Sequence, residues 1–577
     1  MPAESGEKGG RGLSDIIKQL AALDPTLRGV NCIFHANEGS EARGRKLYEG
    51  VRDDIFFVKL QQLAWDAFRA NKAAQNEFQI RSQQNGHNGS HSNNAGATQV
   101  VMNMLEEMGL KEVIANTAIR LYERNSSLNQ QRSLHDTSLR FARRSQDEPI
   151  ECIRETRISW EQGIKEELLT IVGEMKRPFT IIRPQGKRNP LLESNALQSV
   201  PRESVRFLFD SEDLLETSVA IRNPNMKPGH IERRLGMVKI NLPVPTLQQL
   251  INRYAELSPG FTQLGLDEVY VNLSTKVCLA RHEEGDAIAS YGNAVDARLF
   301  LRRGCPPSLR ARIWRLSLTL AEEVSPEEES TFTRLRSECD SIDLLTDELF
   351  MHDVQNITDD PRFFVFEEEL KECVLCFARD DWVRANAFYE IHAAVHGLAQ
   401  GQGARPSPLS SPPSAVQPFL GFSTYFAPLC YVFRDKVSLY SASRLLWAKI
   451  WCKMNVLSGD NGTLLHVCAT FESLLMTLHP RLFLHLINVG VQPLKVALPW
   501  MQLGFVGLLE VDQILHLWDR VVGYQDPTLL AVMAVSVFLL RAEAIMCSNV
   551  AADISIMLME GSRLRVVPML QLVLLAE

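Results

Sequence analysis

Few places in this 577-residue sequence bring reactive side chains to a useful spacing. His392 and His396 stand at the i, i+4 spacing of a metal pair, but no carboxylate or cysteine pattern around them completes a shell, so they read as surface histidines. Cys373 and Cys376 form a CxxC without a second pair. In LKECVLCF the residues Leu370, Cys373, Val374 and Phe377 trace one helical face, so the thiols read as core. Arg310 and Trp314 lie one helical turn apart in LRRGCPPSLRARIW, where a cation could meet an indole. Arg362 follows Asp359 in DDPRFF, and QPFLGFSTYFAPLC, from Gln417 to Cys430, pivots on Gly421. No glycine-rich phosphate loop, serine nucleophile elbow or paired-carboxylate arrangement stands out, so the residues offer no enzyme with an active site of its own.

The elements that would position these residues are mainly helices. Residues 1–80 form an amino-terminal helical segment in which DIIKQLAAL and DDIFFVKLQQLAWDAF are amphipathic. Residues 81–99 carry too little apolar surface to offset ordering and read as a disordered linker or insert. Residues 100–290 are mainly helical again. The exception is RNPN, a turn signal at Arg222 to Asn225, followed by LGMVKINLPVP, where Val238, Ile240 and Leu242 alternate as in a strand; a short hairpin is expected. Thr246 then caps a helix with Leu247, Leu250, Ile251 and Tyr254 on one face. From residue 296 to 577 helix follows helix, interrupted by a proline and serine rich loop at 399–416 that cannot be regular helix. Within VDQILHLWDRVVGY the residues Val511, Ile514, Leu515 and Trp518 make a core-facing stripe, and Gly523 is placed to end the helix.

Composition narrows the partners. A formal net charge of −8 with no strong basic patch argues against nucleic acid or an anionic membrane surface. The charges around Arg233, Arg234 and Lys239 read as solvated edge residues. The opening MPAESGEKGGRG lacks the apolar stretch of a secretory signal, and the 11 cysteines are scattered, so the expected compartment is the cytosol. Thr528 to Leu540 is apolar but shorter than the roughly 20 residues a span needs, and reads as a buried helix.

In their order and spacing, RRGCPPSLRARIW, APLCYVF and LHLWDRVVG resemble the TBC domain, the module of GTPase-activating proteins for Rab GTPases; the shared residues include Arg310, Trp314, Asp347, Gly421, Trp518 and Asp519. The resemblance implies an all-α domain in the carboxy-terminal half, a Rab-family GTPase as partner, and endomembrane contact only through that Rab. It implies no cofactor of the chain's own, since GTP and magnesium belong to the Rab. A typical TBC domain supplies an arginine from an Ile-x-x-Asp-x-x-Arg helix and a glutamine from a Tyr-x-Gln-Gly loop. An arginine finger is worth roughly 10³ to 10⁵ in rate, or about 4 to 7 kcal/mol.

Set on this sequence, SIDLLTDELF puts Leu344 at the isoleucine, Asp347 at the aspartate and Phe350 at the arginine. Counting back from Pro428 puts Gly421 at the glycine, Leu420 at the glutamine and Pro418 at the tyrosine. Both fingers are therefore substituted, and dual-finger catalysis is expected to be lost. Asp347, with no arginine to brace, reads as a solvated helix residue. Arg362 is the candidate displaced arginine, and Phe350→Arg with Leu420→Gln should create activity where the backbone presents both slots. Three functions remain open: a regulatory Rab binder, an activator with a relocated arginine, and a helical scaffold whose apolar QPFLGF surface binds a non-GTPase partner.

Overall fold

A computed structural model describes residues 148–184, 187, 189–192, 207–220, 236–238, 242–266, 271–387 and 411–575. The amino-terminal segment, the 81–99 insert, His392, His396, Arg233, Arg234, Lys239 and most of the 399–416 loop lie outside them. In order, the described helices are α1 (Glu148–Met175), α2 (Ser211–Ala220), α3 (Leu247–Arg253), α4 (Val271–Tyr291), α5 (Ala294–Leu301), α6 (Pro307–Ser317), α7 (Pro326–Ser341), α8 (Thr346–Thr358), α9 (Glu367–Arg379), α10 (Asp381–Asn386) and α11 (Lys436–Lys449). They continue with α12 (Leu464–Leu478), α13 (Pro480–Val489), α14 (Pro493–Gln502), α15 (Val511–Tyr524), α16 (Thr528–Leu540), α17 (Ala542–Cys547), α18 (Ala551–Met559) and α19 (Val566–Leu574).

The one sheet among the described residues is a two-stranded antiparallel pair, β1 (Thr180–Ile182) and β2 (Ile342–Leu344), in the register Thr180 to Leu344 and Ile182 to Ile342. The RNPN turn at Arg222 to Asn225 and Ile240, on which the expected hairpin rests, lie outside the described residues. Of that region Gly236–Val238 and residues 242–246 are described and none is strand; the backbone N–H groups of Met237 and Val238 donate instead to the Glu472 carboxylate at 2.5 and 2.9 Å. Alternation marks a half-buried extended chain, and a buried carboxylate satisfies that chain as well as a partner strand does.

The chain divides into two compact units. One includes Leu475–Gln492 and Glu543–Ile554; within it His485 Nε2 lies 2.9 Å from the Ser548 carbonyl. The other comprises Arg144–Leu474, Pro493–Ala542 and Ser555–Glu577 and holds every candidate site residue. In that second unit the stretches before and after residue 296 share one core. The Arg281 guanidinium of α4 is buried and donates to the carbonyls of Phe300 and Gly304 at 2.6 and 2.8 Å. Thr246 caps α3 with a reciprocal capping box, as its position predicts, and Leu250 and Tyr254 are buried beneath it.

Residues 528–538 of α16 are all buried, and among the described residues no single helix is long and apolar enough to cross a membrane. The Leu370, Cys373, Val374 and Phe377 face of α9 is likewise core. Burial pushes the Cys373 thiol up to about 12. Gly523 does not end α15. The helix runs to Tyr524 and closes at Gln525 in the left-handed region, with φ 52°. The glycine serves instead as the close-approach point for α5, since a Cβ there would stand 2.7 Å from Arg302 N and 2.8 Å from Arg298 O.

Candidate functional site

Three of the shared residues meet at one carboxylate. Asp519 of α15 is fully buried and accepts from Arg310 Nε and Nη2 at 3.0 Å each, from Trp314 Nε1 at 2.7 Å and from the Cys305 backbone N–H at 3.1 Å. Arg310 and Trp314 are thus joined through a shared acceptor. One residue earlier, Trp518 Nε1 donates to the Gly504 carbonyl at 2.9 Å, which fixes the loop between α14 and α15. The side chain of Leu503 from that loop lies where a Cβ on Gly421 would stand, at 2.8 Å. The shared residues therefore form a frame that ends at the pivot of the QPFLG segment.

Phe350 and Leu420, the expected finger slots, sit on this frame in different ways. Phe350 lies on α8 with 0% of its surface exposed, its ring 5.1 Å from Phe422. Phe422 is the centre of an aromatic cluster that also includes Phe377, Phe419, Phe426 and Trp447, with centroids 5.0 to 5.7 Å away. Position 350 is therefore a core position, where a guanidinium would be buried without a partner. Leu420 is 37% exposed, whereas Phe419 and Phe422 on either side are 1% and 0% exposed. QPFLGF thus presents one side chain outward and is not an apolar docking surface. After it come two 3-10 turns, Phe422–Tyr425 and Ala427–Tyr431, in place of a regular helix.

Two further contacts set the loop. Gly421 has φ 99°, and the Asp353 carboxylate of α8 accepts from its backbone N–H at 2.6 Å and from that of Ser423 at 2.5 Å. Burial raises the Asp353 carboxyl to about 6, against the opposing pull of the hydrogen bonds from Ser423 and Gly421. Asp353 went unnoticed in the sequence; its one signal was a lone carboxylate within the apolar run LFMHDV. The second contact comes from outside the expected module. Leu420 N–H donates to the Phe209 carbonyl at 3.1 Å, and the Phe209 and Phe419 rings stack at 4.9 Å with 21° between their planes.

Asp347 corrects its sequence reading as well. It is buried, not solvated, and forms an ion pair with Arg379 of α9, whose Nη1 and Nη2 donate at 2.9 and 2.6 Å; it also accepts from Leu344 N–H at 2.9 Å. Burial draws the Arg379 pKa down, and the adjacent carboxylate outweighs it, leaving the guanidinium above the usual arginine value. Asp347 ties β2 to α9. Arg362 is half-buried, and Asp360, not Asp359, holds it, through Nε at 3.0 Å and Nη2 at 2.5 Å. Its Nη1 donates to the Leu509 carbonyl at 2.7 Å, and its own carbonyl accepts from Tyr431. Each guanidinium nitrogen is already engaged within the chain. No group of three or more His, Cys, Asp or Glu among the described residues could hold a metal ion.

Residues 416–546, spanning the QPFLG segment, the frame loop and α15, match the Rab-GTPase-TBC domain family. The chain is also 32% identical over 442 residues to TBC1 domain family member 19 of Homo sapiens, an alignment covering 74% of this chain and 83% of that protein. The chain belongs to the TBC domain family. Within this TBC protein, the buried Asp519 cluster joins Arg310 and Trp314 of α6 to α15.

Proposed function

We propose that this TBC protein binds Rab-family GTPases as a regulatory module without dual-finger catalysis. The observation that carries this reading is Phe350, wholly buried against Phe422 where the family places its arginine. An arginine finger must leave its own domain to reach the γ-phosphate of a partner, and an apolar residue locked in the core supplies neither charge nor reach. Leu420 offers a side chain that cannot orient water. The intact Arg310, Trp314 and Asp519 frame supports retention of the module's partner class. GTP and magnesium would belong to the Rab, and a cytoplasmic chain would reach endomembranes through it.

A relocated arginine is the second reading, and Arg362 its candidate. To act it would have to leave Asp360 and the Leu509 carbonyl, giving up charge-assisted hydrogen bonds first. Single-turnover GTP hydrolysis over a panel of GTP-loaded Rabs, run beside binding, separates the two. GTP-selective binding with unchanged hydrolysis is the expected result. Acceleration of any Rab by about 10² or more, equivalent to about 3 kcal/mol, would overturn the proposal, and its loss in Arg362→Ala would assign the finger. Absence of nucleotide-dependent binding to every Rab would leave a scaffold for another partner.

A further inference from the structure

We propose that Ser411 is a phosphorylation site for a proline-directed kinase, with Arg384 as the built-in receptor for its phosphate. Ser411 precedes Pro412 and Pro413, and its side chain is half-buried, whereas Ser414 three residues on is fully buried and closed to an enzyme. The Ser411 hydroxyl accepts from Gln417 Nε2 at 3.2 Å and lies 3.5 Å from the Pro412 carbonyl oxygen. That same carbonyl accepts from Arg384 Nη2 of α10 at 3.0 Å, so the hydroxyl and the guanidinium converge on one atom.

Two polar atoms at this convergence lack partners. Arg384 Nε and Gln417 Oε1 are buried with no hydrogen bond, although buried polar groups are nearly always satisfied. No carboxylate among the described residues pairs with Arg384. A cation with an unused N–H beside a Ser-Pro hydroxyl suits a group that brings strong acceptors and negative charge. In the reaction the Ser411 oxygen attacks the γ-phosphorus of ATP. The new oxygen to phosphorus bond forms as the bond to the β,γ-bridging oxygen breaks, ADP leaves, and the hydroxyl proton passes to the kinase base. The phosphoryl oxygens then accept from Arg384 and from Gln417 Nε2. Gln417 opens the segment that reaches Leu420, so the modification tightens the attachment of the QPFLG loop to α10.

The test uses the full chain carrying Ser407→Ala, which removes the neighbouring Ser-Pro site, incubated with a proline-directed kinase and ATP and mapped by tandem mass spectrometry. A peptide spanning residues 405–417 with the same Ser407→Ala change serves as the kinase control. The expected result is phosphate on Ser411 and a rise in Tm of about 2–4 °C. Arg384→Gln should accept the phosphate equally but lose the rise. Phosphorylation of the peptide but not of Ser411 in the folded chain would overturn the site. An equal Tm change in the parent and Arg384→Gln would overturn the receptor.

Discussion

At the residue scale, an identity and its surroundings make different statements. Phenylalanine at position 350 is by its letter a side chain without charge; the ring packed on Phe422 says that the position lies in the core. Phe350→Arg is therefore expected to cost several kcal/mol, the range for an unpaired buried charge, and to add no GTP hydrolysis. Thermal unfolding of the variant, alone and with Leu420→Gln, checks this; a stable protein that accelerates a Rab would show that α8 can turn the slot outward. Asp353 gives a second test through pH. Its carboxyl sits near 6 when folded against an unfolded reference of 3.8, so the native state binds more protons between those values. A raised folded pKa contributes stability that is fully present below the unfolded value and lost as pH rises through the folded one. A shift of about 2 units corresponds to on the order of 3 kcal/mol. The stability of the parent minus that of Asp353→Asn should accordingly fall between about pH 4 and pH 6. A difference that is flat or rises over that window, measured by denaturant unfolding, would show that Asp353 is not held as described.

At the element scale, the QPFLG segment is a turn held at both ends. Gly421 is at φ 99° because the chain must reverse between Leu420, tied to Phe209, and Ser423, tied to Asp353. Gly421→Ala meets two penalties of different size. A Cβ would strike Leu503 Cδ2 at 2.8 Å, but that is the tip of a flexible side chain and can move. The left-handed backbone cannot be relieved locally, so the expected cost is about 1–2 kcal/mol from conformation. Equilibrium unfolding measures it, and a neutral or stabilising alanine would mean that the turn can adopt another form. The left-handed glycine was legible in the sequence as a pivot after proline and before an aromatic run. Its two anchors were not, because Asp353 and Phe209 lie 68 and on the order of 200 residues away along the chain.

For the molecule as a whole, the boundary suggested by the change of pattern near residue 296 is not a boundary in the core. β1 completes a sheet with β2, Arg281 binds carbonyls at Phe300 and Gly304, and the Phe209 ring covers Phe419. A chain starting at residue 296 would expose that apolar surface and leave the loop without its Phe209 contact. It is expected to be poorly soluble or markedly less stable than a chain starting at residue 148. Soluble yield and thermal unfolding of the two compare them directly. Equal Tm values would show that the preceding stretch is only an appendage.

The sequence by itself determined the helical class, the N-cap at Thr246, the buried helix at 528–540 and the likeness to the TBC family, because each rests on local pattern or short motif. It also raised the expectation that the finger slots fall on Phe350 and Leu420, since residue identity is visible as a letter. Tertiary structure alone decided that Asp519 gathers Arg310 and Trp314, that Asp347 pairs with Arg379, and that Arg362 is held by Asp360 and Leu509. It also paired β1 with β2 and made Gly523 a helix contact in place of a helix end. The physical reason is common to all of these. Periodicity reports which residues avoid water, but a buried charge or a close helix approach is fixed by a partner distant in the chain, and no local pattern records who that partner is.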